Sequence, residues 1–190
     1  MISRTDPARR GDGLSPTDPR LIGDPLEFIA ADHLRIRAMC GELDRLAGAA
    51  HVTADEAAAM LSFLTEELPL LVADEDEDLL PLLMRRSTPE DDMPRLKVRL
   101  DQEHARINAN LPEVIDSFET LAETGGAISD LMVYRLGDFA GQIRRHLILE
   151  NAVMLPFARL RLTRSDLETL TRRMLARRGL DRMMERDDAQ

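Results

Sequence analysis

Three short segments of this chain set histidine beside a carboxylate or one helical turn from it: Asp32-His33, Glu103-His104 and His146-x-x-x-Glu150. Glu75 stands inside an acidic run, Asp74-Glu75-Asp76-Glu77-Asp78. Imidazole nitrogen and carboxylate oxygen are donors that suit iron, manganese or zinc, and the two oxygens of a carboxylate can bridge two ions. The spacing of His146 and Glu150 puts both on one face of a helix. The fourth histidine, His51, lies beside a helix-capping sequence and is read as a loop residue. The single cysteine, Cys40, excludes an internal disulfide and a cysteine zinc cluster, and is read as a small buried apolar residue.

These residues need elements to bring them together. Residues 1–23 are rich in Pro and Gly and read as a flexible N-terminal tail. Asp24-Pro25-Leu26-Glu27 supplies a cap, a first-turn proline and a capping-box acid, and opens a helix to about Ala47. Thr53-Ala54-Asp55-Glu56 opens a second, to about Arg86. Thr88-Pro89-Glu90-Asp91 opens a third, to about Glu123. Gly125-Gly126 breaks the chain, and a fourth helix runs from about Ala127 to Arg161. Ser165-Asp166-Leu167-Glu168 caps a shorter fifth, ending before Gly179. The reading is an all-α, up-down-up-down four-helix bundle over 24–161, with an additional C-terminal helix and tail over 162–190. Pro81 and Pro156 are expected to kink the second and fourth helices.

The chain contains a hidden repeat. Asp32-His33-Leu34-Arg35-Ile36-Arg37-Ala38 parallels Glu103-His104-Ala105-Arg106-Ile107-Asn108-Ala109. Glu75 precedes Pro81 as Glu150 precedes Pro156, by six residues each. The repeat then calls for a histidine at position 71, matching His146, but the residue there is Leu71. In an antiparallel bundle, His33, Glu75, His104, His146 and Glu150 fall within one slab about 9 Å deep, at 1.5 Å of rise per residue. Three histidines and two glutamates at one level could hold two iron ions, with Glu75 and Glu150 as bridges.

The ordered set resembles the hemerythrin-like, or HHE cation-binding, family over about 24–160. The family order of His, His-x-x-x-Glu, His and His-x-x-x-Glu maps here onto His33, then Leu71 in place of His, Glu75, His104, His146 and Glu150. The invertebrate oxygen carriers have a further His where this chain has Asn108, so the resemblance is closer to the bacterial and iron-sensing branches. It implies a non-haem, di-iron centre that binds or senses oxygen, nitric oxide or peroxide, or that handles iron, with manganese or zinc as other candidate metals. Leu71 marks a lost ligand position, for which Glu67, one turn earlier, and Asp74 are candidate substitutes. Most of the acidic run is otherwise read as solvated surface.

Composition bounds the rest. Of 190 residues, 3% are aromatic and none is Trp, which disfavours a β-rich domain. Twenty-five basic against 35 acidic side chains, a formal charge of −10, argue against nucleic acid as partner. The sequence shows no signal core and no membrane-length apolar run, so a cytoplasmic protein with no membrane partner is expected. The expected partner is a small diatomic or peroxide ligand. Between 159 and 186 nine arginines face four acids, so the C-terminal helix is a candidate docking segment for a protein partner, unless its arginines pair with the bundle. No acid–base or nucleophile set stands apart from the metal-type residues, so binding or sensing is expected rather than catalysis. The competing reading is a degenerate, metal-free bundle acting as a scaffold.

Overall fold

The computed structural model describes residues 15–181 and is helical almost throughout. Helix α1 is Pro25–Ala47, capped by Asp24, whose side chain accepts from the Glu27 amide. Helix α2 covers 54–86 and opens on the Thr53–Glu56 capping box. Helix α3 is Met93–Thr124, α4 covers 130–161, and α5 is Arg164–Arg177. Helix α1 lies against α4, α4 against α3, and α3 against α2, while α5 crosses the acidic part of α2 and the start of α1. The core between them is aliphatic and aromatic, with Ile29, Met39, Leu43, Met60, Leu79, Leu83, Phe118 and Phe139 fully buried. Cys40 is buried among them, and burial pushes its thiol up to about 11.

Several boundaries differ from expectation for local reasons. The Thr88–Asp91 capping box opens only a 3-10 turn, Pro89–Asp91. Pro94 has no N–H to give the carbonyl of Glu90, so the chain passes through a left-handed residue, Asp92 (φ 48°), and starts α3 afresh. Helix α4 begins at Asp130 under a Ser129 cap, because Gly126 is held by Val52 in a reciprocal pair of backbone hydrogen bonds of 2.8 and 2.9 Å. That bridge needs Gly125: its φ is +65°, and a Cβ there would lie 2.8 Å from the Val52 carbonyl oxygen. Helix α5 is capped two residues earlier than expected, by Thr163 with Asp166. The looseness expected of residues 1–23 does not reach the bundle's edge. Pro19–Gly23 form a 3-10 turn, Ile22 is fully buried, and Thr171 donates to the Ile22 carbonyl. Of the tail expected over 1–23, residues 1–14 lie outside the described residues, as do 182–190 of the C-terminal helix and tail expected over 162–190.

The prolines of α2 and α4 produce wide π-turns, a different outcome from simple kinks. The turns are Phe63–Glu67, Asp74–Leu79 and Glu150–Met154, and Pro69, Pro81 and Pro156 each stand two residues beyond one. A proline ring collides with the carbonyl four residues back and cannot donate to it. Widening the preceding turn relieves that collision. The amides just before the prolines then bond five residues back: Leu68 to Phe63, Leu80 to Glu75, and Leu155 to Glu150. Such turns concentrate at functional sites, and here two of the three start their long bond at a glutamate singled out above.

Candidate metal centre

The structure brings His33, Glu75, His104, His146 and Glu150 together at the middle of the four-helix layer, each at most 6% exposed. Helix α1 contributes His33, α3 contributes His104, and α4 carries His146 one turn before Glu150. The matching π-turns of α2 and α4 aim the two glutamates from opposite sides. His33 Nε2 lies 2.8 Å from Glu75 Oε1 and 3.5 Å from Glu150 Oε2. His146 Nε2 lies 2.8 Å from Glu150 Oε1 and 2.8 Å from His104 Nε2. Glu75, His104, His146 and Glu150 each offer a donor atom within 4.8 Å of the others.

Every imidazole therefore turns Nε2 inward, and its Nδ1 meets an oxygen of the surrounding protein. Nδ1 of His33 is 3.2 Å from Asn151 Oδ1, and Asn151 is itself fixed by donating to the Leu147 carbonyl. Nδ1 of His146 is 3.2 Å from Glu103 Oε2. Nδ1 of His104 is 2.9 Å from Asp76 Oδ1, off the axis a hydrogen bond needs. An oxygen at Nδ1 with Nε2 turned to the centre is the arrangement metal-ligating histidines adopt.

The electrostatics show how closely these groups depend on one another. Burial alone would lower the His33 pKa, but the hydrogen bond and charge of Glu75, with the charge of Glu150, raise it to about 9. Burial pushes Glu75 up, and the His33 contact outweighs it, so Glu75 stays below the usual carboxylate range. Glu150 is held well above that range by burial and by the negative charge of Glu75 beside it. Burial opposes the charged form of His104, yet Asp76 raises it.

Glu67 and Asp74, the two candidate substitutes, are turned elsewhere. Glu67 pairs with Arg35 at 3.5 Å. Asp74 is fully buried and accepts from Arg177 at the end of α5 and from Arg178 just beyond it. Leu71 is itself at the centre: it lines a cavity of about 20 Å³ together with Glu75, His104, His146 and Glu150. The apolar remainder of that lining includes Ile36, Ile143 and Leu147. The space is enough for one water-sized molecule. A surface groove of about 240 Å³ between α2 and α3 shares Leu68, Val72, Ile107 and Asn108 with it, so these side chains separate the centre from solvent.

Sequence reasoning passed over the three residues that orient the imidazoles. Each flanks a candidate ligand in the chain: Asp76 follows Glu75, Glu103 precedes His104, and Asn151 follows Glu150. The adjacency was readable, but its use was not. Glu103 serves the histidine of the next helix, and Asp32, beside His33, is taken by Thr17 and Arg35.

The model of the hemerythrin HHE cation-binding domain matches residues 24–179. The chain belongs to this family. No curated protein and no solved structure gives a match. The family match runs through α5, the additional C-terminal helix beyond the four-helix bundle. Its packing agrees: Leu170 and Met174 are fully buried, and Arg173, Arg177 and Arg178 pair with Asp74 and Asp78 of α2.

The donor set fits a cation. Glu150 Oε1 is buried and has no hydrogen-bond partner. Two imidazole lone pairs face each other across 2.8 Å, which is repulsive unless a proton or a cation lies with them. A buried carboxylate pair with three inward imidazoles is costly in an apolar bundle unless positive charge compensates it.

Proposed function

We propose that this hemerythrin-domain chain holds non-haem iron at His33, Glu75, His104, His146 and Glu150, and uses it to bind or sense dioxygen, nitric oxide or peroxide, or to handle iron. The observation that carries the reading is the convergence of three inward Nε2 atoms on two buried carboxylates, each imidazole backed by an oxygen at Nδ1. Bound iron supplies a coordination position open to a small ligand. Around it, Asn151 and Glu103 hold the Nδ1 protons of His33 and His146, Asp76 lies beside Nδ1 of His104, and the apolar cavity beside Leu71 limits access to molecules of a few atoms. The donors are unequal on the two sides. His104 and His146 stand together with Glu150, whereas His33 has only the carboxylates, because Leu71 occupies the place of its companion. The reading that follows is one firm cation position on the His104–His146 side and a weaker one at His33.

Leu71 also favours a second reading, a metal-free bundle acting as an interaction scaffold. One experiment separates the two. The protein is purified anaerobically, supplied with ferrous iron, freed of excess, and its iron, manganese and zinc are counted by mass spectrometry. Near-ultraviolet absorption is then followed on exposure to oxygen. About one or more irons per chain, with a spectrum that responds to oxygen, supports the iron reading; fewer than about 0.2 metals per chain leaves the scaffold.

A further inference from the structure

A groove of about 550 Å³ runs between α3 and α4 on the outside of the bundle. Arg99, Glu103 and Arg106 line it from α3, and Gln142 and Arg145 from α4, with the exposed Ile148 as an apolar edge. Positions 99, 103 and 106 fall on one face of α3, as 142 and 145 do on α4.

Glu103 is the one carboxylate on this wall, and it is committed twice. One oxygen accepts from Arg99 Nε at 3.2 Å, and the other faces His146 Nδ1 at 3.2 Å. It is not left to neutralise Arg106 or Arg145. Among the described residues neither has a carboxylate within ion-pair distance. Their neighbours along the same helices show how unusual this is: Lys97 pairs with Asp101, Arg135 with Glu113, and Arg144 with Asp44. On a chain of formal charge −10, three guanidinium groups around one concavity, only one of them compensated, make a local field opposite to that of the whole molecule. Arg145 also lies back along α4, its Nη1 close over Gly141, where a Cβ would come within 3.4 Å.

We propose that this groove binds a small phosphate-bearing anion, separately from the cation centre. Guanidinium forks match the oxygens of phosphate in pairs, and such pairs are stronger than neutral hydrogen bonds. Arg99 and Arg106 stand two helical turns apart, roughly 10 Å along the axis, with Arg145 across from them. That span suits a phosphate group or a phosphate ester better than a halide. The volume lies within the range of small-molecule sites.

The test is isothermal titration of the full chain, in the metal state in which it is purified, at constant ionic strength. The probes are inorganic phosphate and glycerol phosphate. The expected result is saturable binding near one per chain, weakened at least about tenfold in the double variant R106Q/R145Q. The tighter of the two probes identifies a free phosphate or a phosphate ester as the ligand type. A control variant losing the same charge elsewhere, R135Q/R164Q, keeps the affinity. Both substituted arginines in the groove are exposed, and unchanged helical circular dichroism checks that the fold is intact. Three results overturn the proposal: no saturable binding below about 10 mM of either probe, equal weakening in the control variant, or binding that survives R106Q/R145Q. The last outcome would place the anion away from Arg106 and Arg145.

Discussion

Replacing Leu71 with histidine puts the asymmetry of the centre to a direct test, because the structure predicts a large loss of stability without metal and almost none with it. Leu71 is 4% exposed and walls the cavity beside Glu75, His104, His146 and Glu150. Removing its buried apolar surface costs about 2 kcal/mol. An imidazole left without a partner there adds about 1 kcal/mol. A loss of about 3 kcal/mol lowers the thermal midpoint of a domain of this size by roughly 6–12 °C. With metal most of that loss is recovered. The new imidazole completes the His33 side, and a ligand present at a hundred times its dissociation constant returns about 2.7 kcal/mol. The L71H protein should therefore melt well below the wild type when metal-free. It should show a larger iron-induced rise in midpoint, and carry up to about one more iron per chain after anaerobic reconstitution. Leu71→Ala serves as the control, with the destabilisation but no gain in iron. If L71H loses stability yet its iron content and iron-induced shift equal those of the wild type, position 71 is not a missing ligand. The unequal-sides reading then falls.

Three further outcomes are expected. Glu150→Gln removes a carboxylate that burial and the charge of Glu75 hold well above its ordinary pKa; the variant should lose most bound metal by elemental analysis, while its metal-free form melts no lower than the wild type near neutral pH. Arg177→Ala with Arg178→Ala strands the fully buried Asp74 without its cations; breaking a buried pair this way costs about 3 kcal/mol or more, visible as a lower denaturation midpoint, and an unchanged midpoint would show that α5 does not brace the bundle. Asp166 is held below the usual carboxylate range mainly by its hydrogen bond from Arg86, together with Thr163 and Arg85. Its folded-state pKa is depressed, so its stabilisation is complete above the ordinary aspartate range and is lost as pH falls through the folded value. The stability difference between wild type and D166N should be constant from neutral pH to about 5 and shrink below it.

Helix number, order and most ends were legible in the sequence because caps and breakers are local. Asp24, Thr53 and Gly125 act within one turn of themselves, and the structure uses them as read. The misjudged ends, at Thr88, Ala127 and Ser165, depend on partners distant in the chain. Val52 claims Gly126, Arg161 claims Asp91, and Arg85 with Arg86 claims Asp166, which selects the earlier of two overlapping capping boxes. For the centre, the repeat and the common depth were enough to group His33, Glu75, His104, His146 and Glu150. Which carboxylate backs which imidazole was not readable. It depends on the rotation of one helix against the next, and Glu103 turns to His146 across α3 and α4 while its own neighbour His104 is met by Asp76 of α2.

The acidic run shows why a local charge pattern misleads. Five consecutive acids look like a solvated stripe, yet Asp74, Glu75 and Asp78 are at most 3% exposed. The π-turn and the spacing of these residues split the run into separate directions. Asp74 and Asp78, four apart, face α5 and its arginines. Glu75 faces the centre at His33, Asp76 reaches His104, and Glu77 stays at the surface beside Arg177. So many carboxylates on one and a half turns would repel one another, and Pro81 denies that turn its regular hydrogen bond. The arginines of α5 supply the compensating charge at the very turn that aims Glu75. The C-terminal helix therefore acts on the centre without touching it, by making affordable the wide, acidic turn on which the centre depends. Arg173, Arg177 and Arg178 thus have their partners within the bundle, in keeping with a family match that continues past the fourth helix to residue 179.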